Sequence, residues 1–161
     1  MSQVSAHHRN FLPGTRIEVI RDDFPRGRAR VALFDFDGTL SLIREGWPEI
    51  MIPMMVEHLA RAPHAEPLDV LREKVEEFVM RLNGKQTIYQ MIQLADEIRS
   101  RGGVPKDPLE YKHDYHERLL RRIAGRTSGL RAGTIDPETL TVPGSEALLE
   151  HLAARGLALY L

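Results

Sequence analysis

The chain of 161 residues carries a formal net charge of −1 and contains no cysteine. Its length holds one domain, or a core with a small second module. The near-neutral balance points away from a nucleic-acid partner, and the missing thiols exclude a disulfide framework or a thiolate metal site.

Residues 1–14 read as a loose polar arm ending in Pro13-Gly14, without the apolar stretch of a secretory signal. Arg16–Ile20 alternates polar and apolar residues, as a half-exposed strand does. Residues 22–27 are turn-rich, and Arg26, Arg28 and Arg30 then alternate as a solvated basic turn with some capacity for an anion. The richest apolar run, residues 50–56, is interrupted by Pro53 and falls well short of a membrane span. A cytoplasmic protein with no membrane partner is therefore expected.

Val31-Ala-Leu-Phe-Asp-Phe-Asp-Gly-Thr-Leu40 dominates the chain. An apolar run that stops abruptly at Asp35 predicts a buried parallel strand whose carboxyl end opens onto a site. Residues i and i+2 of an extended segment point the same way, so Asp35 and Asp37 are expected to face one pocket. Two close carboxylates invite a hard divalent cation such as Mg2+. Asp35 can then attack phosphorus, and Asp37 can exchange a proton with the leaving oxygen and with water. Gly38 permits the sharp turn such a site needs.

Asp35-Phe-Asp-Gly-Thr-Leu40 resembles the first signature motif of the haloacid dehalogenase superfamily, in its phosphohydrolase branch. The resemblance implies Asp35 as nucleophile, Asp37 as general acid/base, and Mg2+ held by the Asp35 side chain and the Asp37 backbone carbonyl. It implies an α/β fold, a partial doubly wound (Rossmann-like) core with an inserted α-helical cap. Residues 1–40 would begin the core, 41–130 would form a flap and the cap, and 131–161 would return to the core. The acid at Asp37 separates the chain from true dehalogenases, whose halide leaving group needs no proton, and Thr39 favours a hydrolase over a mutase.

Beyond the motif, 41–48 is short and turn-rich, which in the resembled family is a mobile flap. Arg44 and Trp47 thereby become candidates for substrate contact, Arg44 because its guanidinium fork suits phosphate. Helical spacing then takes over. Pro48 starts a segment through Ala60 with a kink expected at Pro53. Leu68, Leu71, Val75, Phe78, Val79 and Leu82 line an amphipathic helix that Asn83-Gly84 ends. Thr87 is expected to cap the next helix, with Ile88, Met91, Ile92, Ala95 and Ile98 on its apolar face. Asp107-Pro-Leu-Glu110 forms a capping box with Pro in the first turn. Tyr111, Tyr115 and Leu119 share a face, and Gly125 is expected to close that helix. Between helices, Lys85 and Gln86 are specificity candidates or an ordinary solvated turn. Gly38, Thr39, Arg44 and Lys85 complete the candidate substrate contacts. His113 and His116 have a spacing metals can use but stand without further ligands. Arg118, Arg121, Arg122, Arg126 and Arg131 make a basic cluster, either steering anions or complementing the helix dipole.

Residues 125–142 read as a Gly- and Thr-rich hinge with a short helix near Asp136. Ser145 is expected to cap a helix with Ala147, Leu148, Leu149 and Leu152 inside, Gly156 to end it, and 157–161 to form a second apolar strand. This last run resembles the segment preceding the family's second motif. The Ser/Thr, Lys and acidic pair of its later motifs are not in the sequence. The chain thus reads as the N-terminal part of a longer phosphatase, expected to be inactive and poorly stable alone. The function implied is Mg2+-dependent hydrolysis of a small phosphorylated metabolite through an aspartyl-phosphate. A phosphotransferase or mutase on the same scaffold, or a non-catalytic module, are the alternatives.

Overall fold

A computed structural model describes residues 10–161 apart from Asp22, Phe24 and Arg26; the arm expected over residues 1–9 and the turn contribution of Arg26 lie outside the described residues. Strand β1 (Val31–Leu33) and strand β2 (Ala158–Tyr160) form a two-stranded sheet. They pair in parallel, with Val31 opposite Ala158 and Leu33 opposite Tyr160. Parallel neighbours require a crossover. Here it contains five helices: α1 (Pro48–Leu59), α2 (Leu68–Arg81), α3 (Thr87–Ser100), α4 (Pro108–Arg131) and α5 (Ser145–Ala154). The fold is a mixed α/β arrangement dominated by helices.

Helices α1 to α4 share one hydrophobic core. Met51, Met54, Met55 and Leu59 meet Leu71, Val75 and Val79 of α2, Met91 and Leu94 of α3, and Tyr111 and Leu119 of α4. Helix α1 continues through Pro53, which is exposed. The capping box is formed: Asp107 Oδ1 accepts from Leu109 N at 2.8 Å, and Glu110 Oε1 accepts from Asp107 N at 3.4 Å. Arg101, 4 % exposed, fastens the end of α3 to the α1–α2 link. Its guanidinium donates to both Glu66 carboxylate oxygens, at 2.5 and 2.9 Å, and to Glu97 Oε2 at 2.7 Å. Bidentate pairs of this kind fix orientation as well as charge.

The bundle is joined to the sheet by two chain segments that bond to each other. Leu42 N donates to Leu140 O at 2.8 Å and Val142 N to Leu40 O at 3.0 Å, around an antiparallel bridge between Ser41 and Thr141. At the far end of α4, Arg126 Nη1 donates to the Ile43 and Glu45 carbonyls at 2.8 and 3.0 Å.

Several expectations are corrected. Strand β1 is parallel but not buried: Val31 is 55 % and Leu33 78 % exposed, because no helix covers either of these side chains. Arg16–Ile20 is not a strand; only an isolated Phe11–Glu18 bridge forms, and Ile17 and Ile20 face solvent. Helix α4 does not stop at Gly125 but runs to Arg131, since a single glycine costs about 1 kcal/mol and does not end a helix that is otherwise well supported. Gly129 is the functional glycine of that turn, where an added Cβ would come within 2.5 Å of Ile135 Cδ1. The cap positions before α3 and α5 are Gln86 and Gly144, one residue ahead of Thr87 and Ser145, and neither makes a side-chain cap bond. Leu68 and Ile92 are exposed, while Leu94 and Gln90 are inside. Of α5 only Ser145 is buried, so its apolar side is largely open. The short helix near Asp136 is a 3-10 turn over Pro137–Leu140, capped by Asp136. The arginine cluster is dispersed: Arg118 binds Asp114 and Glu57, Arg122 binds Glu49, and Arg126 holds backbone carbonyls.

Candidate functional site

The strand hydrogen bonds reach one residue past β1, where Phe34 N donates to Tyr160 O at 2.9 Å. The chain then turns tightly. The Phe36 carbonyl accepts from Leu40 N at 3.0 Å and Ser41 N at 2.9 Å, and Gly38 N donates to Ser41 O at 2.8 Å. Gly38 sits at φ +76°, a left-handed conformation that costs glycine nothing. The turn carries Asp37 towards the bundle. Asp37 Oδ2 accepts from Arg44 Nη1 at 2.9 Å, with both side chains about half exposed. Exposed pairs of this sort contribute at most about 1 kcal/mol, so the contact is readily exchanged.

Two small cavities open beside Asp37. One, of about 200 Å³, lies within the loop and is bordered by Asp37, Gly38, Arg44 and Trp47. The other, of about 180 Å³, lies between the turn and the bundle, where Asp37, Arg44 and Trp47 face Lys85, Gln90 and Tyr115. Asp35 is exposed and borders neither cavity. The expectation that both aspartates face one pocket is therefore not met. Strand geometry ends at Leu33, and the alternation it imposes does not extend through 34–37. A larger, mostly apolar groove of about 640 Å³ runs between Phe36, Leu130, Leu140 and Leu149, but neither aspartate borders it.

Of the other candidates, Arg44, Lys85 and Trp47 converge on the second cavity, while Gln86 does not border it and Thr39 is an exposed turn residue. Lys85 has no ion pair among the described residues. His113 and His116 are exposed on α4, and no group of three or more His, Cys, Asp or Glu side chains suited to a metal occurs among the described residues. Asn83, Gln90 and Tyr115 were not foreseen as lining residues. Gln90 had a signal: it is a polar residue in the Met91–Leu94 stripe, one helical turn before Leu94. Burial pushes the Tyr115 hydroxyl up to about 12; nearby Arg44 lowers it and Asp37 raises it. Tyr115 therefore remains a neutral donor at physiological pH.

The Asp35 carboxylate and the Asp37 carbonyl accept no hydrogen bond among the described residues. Mg2+ commonly takes one or two protein oxygens and completes its shell with water and phosphate. The Asp35 carboxylate and the Asp37 carbonyl are both hard oxygen donors of the kind Mg2+ takes. Comparison with family models, with curated proteins and with solved structures finds no match to this chain.

Proposed function

We propose that this chain carries the nucleophile and the acid/base of a phosphomonoester hydrolase acting on a small phosphorylated metabolite. The observation that supports it best is the turn after β1, which sets Asp37 at the mouth of a cavity shared with Arg44 and Lys85. The motif Asp35-Phe-Asp-Gly-Thr-Leu40 and its resemblance to haloacid dehalogenase phosphohydrolases support the same reading. In it, residues 41–130 are flap and cap, and 1–40 with 131–161 are core.

The roles follow from chemistry. Asp35 Oδ attacks phosphorus, the P–O bond to the leaving alcohol breaks, and Asp37 gives that oxygen its proton. Water then attacks the aspartyl-phosphate, Asp37 takes its proton, and phosphate leaves with Asp35 restored. Asp37 must part from Arg44 to do this, and the freed guanidinium then suits a phosphate oxygen. Asp35 and the Asp37 carbonyl would hold Mg2+, which supplies positive charge against the repulsion between carboxylate and phosphate. The helical block over the cavity would limit access of water.

The test is phosphate release from p-nitrophenyl phosphate by the protein expressed from its complete gene. Asp35→Asn is expected to fall below about one-thousandth of wild type, since an amide cannot accept the phosphoryl group. Equal turnover by the variant would sink the reading. Phosphate appearing on a sugar acceptor instead of in water would move it to a phosphotransferase. The Asp37–Arg44 pair and the position of Asp35 outside the cavities favour a second reading, a non-catalytic binding module. Absence of turnover in both forms would support that one.

A further inference from the structure

The 180 Å³ cavity between the turn and the bundle contains more polar capacity than the chemistry above uses. Gln90 is 4 % exposed, and its amide is fixed by Nε2 donating to Val79 O at 3.1 Å. Its Oε1 has no donor among the described residues, yet no side-chain polar atom is fully buried without a partner. Oε1 therefore opens onto the cavity that Gln90 lines. Tyr115 is the same case: 8 % exposed, lining the cavity, with a hydroxyl that makes no hydrogen bond among the described residues. Asn83, an exposed lining residue, accepts from Gly84 N at Oδ1 at 3.1 Å, and its amide N–H groups have no partner among the described residues. Gln90 Oε1 and the Tyr115 hydroxyl are both reachable from the cavity, where a ligand hydroxyl can take the place of water as their partner.

Resting on the phosphohydrolase reading, we propose that this cavity binds the organic part of the substrate and selects a small hydroxylated phosphate monoester, such as a short polyol phosphate. The phosphate lies towards Asp37, Arg44 and Lys85, and hydroxyls reach Gln90 and Tyr115. Gln90 Oε1 is an acceptor, so it calls for a hydroxyl and disfavours a carboxylate. The volume lies below the usual range of small-molecule sites, which favours a compact ester over a nucleotide or an extended chain. Trp47 on the wall adds an apolar face for the carbon chain.

Trp47 is the only tryptophan of the 161 residues, so its fluorescence reports binding directly. The 161-residue chain is titrated with inorganic phosphate, n-propyl phosphate, glycerol 1-phosphate and 3-phosphoglycerate, all with the Asp35→Asn variant so that no ester is consumed. Glycerol 1-phosphate is expected to bind about tenfold more tightly than n-propyl phosphate, the worth of one to two net hydrogen bonds. Tyr115→Phe removes a hydroxyl that makes no hydrogen bond among the described residues, so the fold is expected to be kept; it should narrow the ratio to about threefold. Gln90→Met should narrow it further, and neither change should alter inorganic phosphate binding. Equal affinity for the propyl and glycerol esters overturns the proposal while leaving the phosphohydrolase reading intact. Tighter binding of 3-phosphoglycerate than of glycerol 1-phosphate also overturns it, in favour of a carboxylate site at Lys85. A chain that fails to bind any ester overturns the proposal, whereas the phosphohydrolase reading stands or falls on the turnover of Asp35→Asn against wild type.

Discussion

The helical bundle and the two-stranded sheet differ in how far each one covers its apolar side chains. In the bundle, four helices each contribute an apolar stripe to one interior, and side chains such as Met54, Leu59, Leu71 and Leu94 are fully enclosed. In the sheet, Val31, Leu33 and Tyr160 remain more than half exposed, and α5 packs only lightly beside them. The contrast teaches that the bundle supplies stability while the sheet supplies the turn on which the aspartates sit.

Three measurements sharpen or break that contrast, taken here from the largest effect down. Leu59→Ala removes a fully enclosed side chain from α1 and should cost about 3 kcal/mol in urea unfolding followed by helical circular dichroism. A loss under about 1 kcal/mol would mean the bundle core is not close-packed.

Acid should act next, and on the bundle. The Arg118 hydrogen bond holds Glu57 below its ordinary value of 4.5, and the Arg101 hydrogen bond does the same for Glu66. For Asp114 burial pushes upward, but hydrogen bonds from Arg118 and His58 outweigh it and leave the group below 3.8. With folded values depressed, the unfolded chain binds protons first as pH falls. The stability from these pairs is complete above about pH 5 and is lost as pH drops through the folded values. The melting temperature of the helices should therefore decline from about pH 4.5 downward, by a few degrees, since the partners are partly solvent-exposed. A level melting temperature from about pH 5 to pH 3 would show that these pairs are not formed.

Smallest of the three, Leu33→Ser should change unfolding free energy by less than about 0.5 kcal/mol, because the side chain is already 78 % exposed. A loss comparable with that of Leu59→Ala would show that something covers the sheet in solution.

The helices were legible because each apolar stripe repeats at helical spacing, as in Leu71, Val75, Phe78 and Val79, and because Asp107 and Glu110 declare their helix start chemically. The end of α4 was not legible. Gly125 and Gly129 look alike in sequence, and only the packing of Ile135 against Gly129 tells them apart. For the site, Asp37, Arg44 and Lys85 could be named from the motif and the loops. Gln90 and Tyr115 could not be assigned to it, because helical periodicity places a residue on a face without saying what lies opposite. The exposure of β1 was missed for a related reason: an apolar run records a preference for burial, while only neighbours in space satisfy it.

The bridge between Ser41 and Thr141 has a mechanical consequence. Because the outgoing and returning segments are laced together, any movement of the helices against the sheet would have to carry both segments at once. Arg126 grips the carbonyls on either side of Arg44, so Arg44 would ride with the helices while Asp37 stays with the sheet. Such a movement would then make or unmake the contact between them, with Lys85, Gln90 and Tyr115 carried along in step.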